Sequence, residues 1–161
     1  MNHGGPLRLH EETVRPEWLD YNGHVNLAYY LVAFDHASDR FFDHVGLGEA
    51  YMRAGRGSIF VVETHVVYRR ELGRDAPLSF TTQLLGHDAK RLHFIHHMYH
   101  AGEGFLAAAN EIMALHVGLD TRRAAPMPAG VLAALSDLQA AHDRLSRPPE
   151  AGRSIGMRQR E

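Results

Sequence analysis

The sequence predicts an α+β fold, in which one curved antiparallel sheet wraps a single long central helix and a further helix follows at the C-terminal end. Three observations carry this. A helical apolar period runs over residues 27–45, four strand-like runs with short connectors fill 58–119, and a second helical pattern follows a proline-bearing loop. A sheet of about five strands with one helix on one face can bury that helix only by curling around it.

The elements follow in order. Residues 7–15, LRLHEETVR, alternate weakly between Pro6 and Pro16, which suits a short strand near a sheet edge. Leu27, Tyr30, Phe34, Ala37, Phe41 and Val45 recur every three or four residues, with Asp35, His36, Asp39, Arg40 and Asp43 opposite, as in an amphipathic helix. Asn26 is placed to cap its start, and Gly46 or Gly48 to end it. SIFVVETHVVY (58–68) is rich in β-branched and aromatic residues; strict alternation puts Phe60, Val62, Val66 and Tyr68 on one face, with Glu63 and His65 on the other. LSFTTQLLG (78–86), RLHFIHHMYH (91–100) and FLAAANEIMALHVGL (105–119) complete what reads as an antiparallel meander. VLAALSDLQAAHDRL (131–145) reads as a second helix, and the segment from Ser146, with its prolines, glycines and arginines, as a flexible basic tail. The expected division is one domain over 1–125, a C-terminal helix over 126–145 packed on or beside it, and the tail over 146–161.

Composition narrows the function. Lys plus Arg number 17 against 19 Asp plus Glu, so there is no global field to draw the chain to nucleic acid or an acidic membrane. With no cysteine, disulfides, thiolate nucleophiles and Cys-based zinc sites are excluded. The start, MNHGGPLRLHEE, turns charged before any signal-like core, and no apolar run reaches the ~18 residues of a membrane span, so a cytoplasmic location is expected.

DYNGHVN (20–26) is the informative stretch. It sets a carboxylate a few residues upstream of a helix start, whose unpaired amides carry partial positive charge and suit a developing oxyanion. By itself Asp-Tyr-Asn-Gly is also an ordinary turn. The longer run DYNGHVNLAYY resembles the signature of the hotdog-fold acyl-CoA thioesterases of the 4-hydroxybenzoyl-CoA thioesterase-like family, through Asp20, Gly23, His24, Val25, Asn26 and Tyr30, over about Leu7 to Thr121. Within that family LDYNGHVNLAYYLVAFDHASD is most similar to the small thioesterases of carnitine breakdown, which hydrolyse betainyl-CoA.

The resemblance implies Asp20 as nucleophile or general base, a carbonyl-polarising helix start at the Leu27 and Ala28 amides, and His24 and Asn26 orienting the acid or the thioester. Hotdog domains pair their sheets, so a homodimer or dimer of dimers is implied, with Glu63 as a second carboxylate across the interface. Trp18, Tyr21, Tyr29, Tyr51 and Phe60 are candidates for the acyl group, by cation–π contact with a quaternary ammonium or by simple packing. Arg69, Arg70, Lys90 and Arg91 are candidates for the CoA phosphates. CoA is part of the substrate, and no cofactor is expected. Neither is a metal: on a strand, His93 and His97 of HFIHHMYH share one face and His96 and His100 the other, so no three converge. Two other readings stand beside hydrolysis. The hydratase pattern D-x-N-P-x-H fits Asp20 and Asn22 but fails at Gly23 and at the early His24; a non-catalytic acyl-CoA-binding module leaves the intact acid without a purpose.

Overall fold

The computed structural model describes residues 4–157. The elements are β1 (Leu7–Thr13), α1 (Leu27–His44), α2 (Glu49–Arg53), β2 (Ser58–Tyr68), β3 (Pro77–His87), β4 (Arg91–His100), β5 (Leu106–Val117) and α3 (Ala129–His142), with a single 3-10 turn at Pro16–Trp18. They form one antiparallel five-stranded sheet in the order β1-β3-β4-β5-β2, curved around α1. This is the arrangement the resemblance implied. The short α2 was not foreseen.

The simple meander is corrected in one place. β2 pairs with β5, not β3, so residues 69–76 carry the chain from one edge of the sheet to the far side of β4. The hydrogen bonds along this connector show its path. Arg69 and Arg70 N–H bond Ala107 O at 2.8 and 3.1 Å, Val25 N–H bonds Leu72 O at 2.9 Å, and Val14 N–H bonds Ala76 O at 3.0 Å. It therefore runs past the start of α1 and braces the DYNGHVN loop.

Each of the four strand pairs has a register shift, and those of β1 and β2 reset which of their residues face the helix. In β2 the register shifts between Val61 and Glu63, so Ile59 lies inward with His116 opposite, and Val66 inward with Asn110 opposite. Phe60, opposite Leu115, thus lies on the outer face, and the single apolar face expected for Phe60, Val66 and Tyr68 is broken. In β1 the shift between Leu7 and His10 turns His10 and Glu12 toward the helix, with Phe80 opposite His10.

α1 buries Tyr30, Ala33, Phe34, Ala37, Ser38, Phe41 and Phe42. Its first half packs with Trp18, Leu78, Phe80 and Met98, and its second half with Leu84, Leu92, Phe94, Ile112 and Leu135 of the strands and α3. Leu27, expected on the buried stripe, is exposed, because it sits at the first helical position beyond the sheet's cover. At the centre of the packing His96 is fully buried, held by Ser38 Oγ at 3.0 Å and Thr82 Oγ1 at 2.9 Å.

The segment after α3 returns to the sheet. Glu150 is buried and accepts from Arg69 at 2.6 Å and contacts His97 Nε2 at 3.4 Å, while Gly152 N–H bonds Glu111 Oε2 at 2.7 Å. Three specific polar contacts seat residues 150–152 on the outer face of the sheet; residues 158–161 of the expected tail lie outside the described residues.

Candidate active site

The DYNGHVN loop closes on itself before it opens onto α1. Asp20 N–H donates to His24 O at 2.9 Å, and Gly23 N–H to Asp20 O at 3.0 Å. Gly23 has φ +77°, a backbone that side-chain-bearing residues rarely adopt. Asn22 N–H donates to Asp20 Oδ1 at 2.8 Å, which fixes the carboxylate. Its other oxygen, Oδ2, takes no hydrogen bond among the described residues. His24 Nδ1 lies 3.5 Å from Glu71 Oε2, an exposed carboxylate supplied by the β2–β3 connector.

A helix start leaves its first amides without intrahelical acceptors. At α1 most of these are already used. Asn26 N–H bonds Trp18 O at 2.9 Å, Tyr29 N–H bonds Asn26 O at 3.0 Å, and Ala28 N–H bonds the Asn26 side-chain oxygen at 3.0 Å. Asn26 is therefore the cap that the sequence predicted. The cap bears on the expected oxyanion pair: the Ala28 amide is bonded to Asn26, while among the described residues Leu27 N–H has no acceptor. Tyr68, which sequence reasoning missed, reaches the same place, donating its hydroxyl to Leu27 O at 3.0 Å.

The aromatic candidates divide. Trp18 is 3% exposed, stacked on Tyr29 at 5.9 Å with the Arg15 guanidinium 5.5 Å from its ring, so its faces are taken and it offers no cage to a ligand. Tyr21 is 97% exposed on the loop. Tyr51 hydrogen-bonds His116 Nε2 at 2.9 Å and packs with the second half of α1, at the opposite end of the helix from Asp20. Phe60 faces outward at that same end, where the Arg122 guanidinium lies 5.6 Å from its ring.

The basic candidates divide in the same way. Arg69 is held by Glu150, and Arg91 by Asp88 at 2.7 Å through Nε. That pairing, with the Lys90 and Arg91 backbone amides, drops Asp88 to about 2. Lys90 and Arg91 belong to the β3–β4 turn, where Arg91 stands opposite Leu115 at the end of the sheet remote from Asp20. Arg70 is near the loop, its guanidinium 4.0 Å from the Phe105 ring. Glu63 is exposed in the middle of β2, on the outer face opposite Met113, and does not meet Asp20 within one chain.

A groove of about 1070 Å³ runs along the open side of α1, lined by β1, α1, α2 and the start of β2. Its walls carry Glu12, Asp35, Asp39, Asp43 and Glu49 against Arg15 and Arg40. Burial, then the nearby Asp35 and Asp43 carboxylates, raise Asp39 above the usual carboxylate value. In the HFIHHMYH strand, His93 and His97 do share the outer face, meeting Glu111 at 2.7 Å and Glu150 at 3.4 Å, while His96 lies inside.

A carboxylate with a free oxygen beside a helix mouth, under a sheet wrapped around that helix, suits acyl-transfer chemistry. The chain belongs to the thioesterase-like superfamily, with residues 14–135 matched. It is similar to the betainyl-CoA thioesterase of Pseudomonas aeruginosa, 43% identical over 151 residues that cover 94% of this chain and 95% of that one. A putative thioesterase from Pseudomonas putida superposes with TM-score 0.83 at 33% identity, covering 96% of this chain and 99% of that one. A Staphylococcus aureus protein solved in complex with CoA gives TM-score 0.87 at 25% identity, covering 95% and 97%. The fold is thus the hotdog fold, and the chain is an acyl-CoA thioesterase.

Proposed function

We propose that this chain hydrolyses betainyl-CoA to betaine and CoA, as a step of carnitine breakdown, with Asp20 as the reacting carboxylate. The observation that carries the acyl assignment is the end-to-end likeness to the Pseudomonas aeruginosa betainyl-CoA thioesterase. Asp20 Oδ2 either adds to the thioester carbonyl itself or takes a proton from the water that does. The carbonyl oxygen becomes an oxyanion, for which Leu27 N–H is the donor. Collapse of that intermediate breaks the C–S bond, and the CoA sulfur leaves and is protonated. If Asp20 has added directly, water then hydrolyses the resulting anhydride. No cofactor beyond the CoA of the substrate enters this scheme.

Residues around the loop suit a cationic acyl group. Tyr21, Tyr68 and the Glu71 carboxylate stand open at the helix mouth, and aromatic faces with a carboxylate attract a trimethylammonium. Arg70, on this side and in a loose, exposed pair with Glu103 at 3.8 Å, is the basic residue in this reading for a CoA phosphate.

The reading includes a homodimer through β2. This strand has one edge without a partner among the described residues, and it exposes Phe60, Val61 and Val62. Antiparallel pairing of two copies about Glu63, the midpoint of β2, sets Phe60 of one near Val66 and Tyr68 of the other. The partner's Phe60 would then come to the Asp20 end that its own chain denies it.

The test compares betainyl-CoA with the tert-butylacetyl thioester, which has the same shape without the charge. Two good aromatic contacts at ~0.5–2 kcal/mol each give an expected preference in kcat/KM on the order of ten-fold or more. Equal values would discard the betainyl assignment and leave the acyl-CoA thioesterase standing.

A further inference from the structure

Three side chains that thioester chemistry leaves idle meet where β1 passes α1. His10 and Glu12 stand two residues apart on the inward side of β1, put there by the bulge that precedes them, and His36 meets them from the helix. His10 Nε2 is 3.0 Å from Glu12 Oε1, and His36 Nδ1 is 3.1 Å from Oε2 and 3.2 Å from Oε1. One ligand atom from each residue falls within 4.8 Å of the others. Their side chains are 13%, 12% and 35% exposed, so the cluster is partly withdrawn from water yet opens on the groove.

The spacing fits a bound ion closely. Tetrahedral ligands at ~2.0–2.1 Å from a metal stand about 3.3 Å from one another; the two His–Glu12 distances already match this to a few tenths of an ångström, and the two imidazole nitrogens, within 4.8 Å of one another, close on the ion by side-chain rotation. Two imidazoles and one carboxylate suit zinc and its first-row neighbours, whereas magnesium and calcium prefer oxygen donors throughout. The acidic excess on the groove walls favours accumulation of cations there.

We propose that His10, Glu12 and His36 form a binding site for a divalent first-row transition metal, zinc fitting best, that clips β1 to α1 with a fourth coordination position toward the groove. The competing account is a hydrogen-bonded triad in which both imidazoles donate N–H groups to Glu12. The two differ in one respect: the metal replaces those protons.

Protein stripped with chelator and dialysed is titrated with Zn²⁺ by calorimetry. One ion per chain is expected at micromolar affinity or tighter, with a rise of several degrees in the thermal midpoint and none with Mg²⁺. His36→Ala and Glu12→Gln should each weaken uptake at least ten-fold. Cobalt provides a readout on the unmutated protein, since inner-sphere binding gives visible bands unlike those of the aqueous ion. No uptake, zinc uptake unchanged in both variants, or a cobalt spectrum identical to the free ion would each overturn the proposal in favour of the hydrogen-bonded triad.

Discussion

Asp20 shows how far a single residue can be read from its neighbours. Its turn and the Asn26 cap are set by residues within six positions, and both were legible in the sequence; the positive φ of Gly23 came from the structure. What was not legible depends on distant partners. Trp18 loses its faces to Tyr29 and Arg15, the Tyr68 hydroxyl arrives from 41 residues away, and the His10, Glu12 and His36 cluster joins a strand to a helix 24 positions on. Asp20→Asn is the sharpest test at this scale. The asparagine oxygen can accept the same bond from Asn22 N–H, so the loop and the thermal midpoint should hold. Turnover of the thioester should fall by roughly 10²-fold or more, the usual worth of a positioned general base. Release of CoA at near the original rate would remove Asp20 from the mechanism.

At the scale of elements, the joint between α1 and the sheet is polar at its centre. His96 of β4 binds Ser38 of α1 and Thr82 of β3; burial, followed by repulsion from His97 and His10, lowers it from 6.5 to about 3. It is therefore neutral in the folded state while the unfolded chain protonates it below pH 6.5. Stability rises with pH across that window and is lost on acidification, by about 2 kcal/mol between pH 6.5 and 5 at ~1.4 kcal/mol per unit. Urea unfolding at the two pH values should show this loss, and His96→Gln should flatten it; an unchanged slope would mean that another group carries the dependence. Glu150 acts lower. Burial alone would raise its carboxyl, but Arg69, a backbone bond and His97 together hold it below 4.5, so its contribution fades only under that value. The types of the five strands and of α1 and α3 were legible from period and composition, that of α2 was not. The register shifts and the β2–β5 pairing were not, because a one-residue shift of register leaves no mark in an apolar run such as SIFVVETHVVY.

For the whole molecule, the unpaired edge of β2 sets the expected assembly. Sedimentation at micromolar concentration should give at least a dimer, and replacing both Val61 and Val62 with lysine should shift it toward monomer and lower thioesterase activity with it. A monomeric parent protein with full activity would count against a site completed by a second copy. Among the described residues no helix is long and apolar enough to cross a membrane. The seating of Glu150 on Arg69 and His97 also orders events in time. These partners are 81 and 53 residues apart in sequence. A ribosome adding ~5–20 residues per second makes Arg69 roughly 4–16 s before Glu150. Arg69, His93, His97 and Glu111 are all made before Glu150, so this patch of the sheet's outer face can be covered only after that residue has been added.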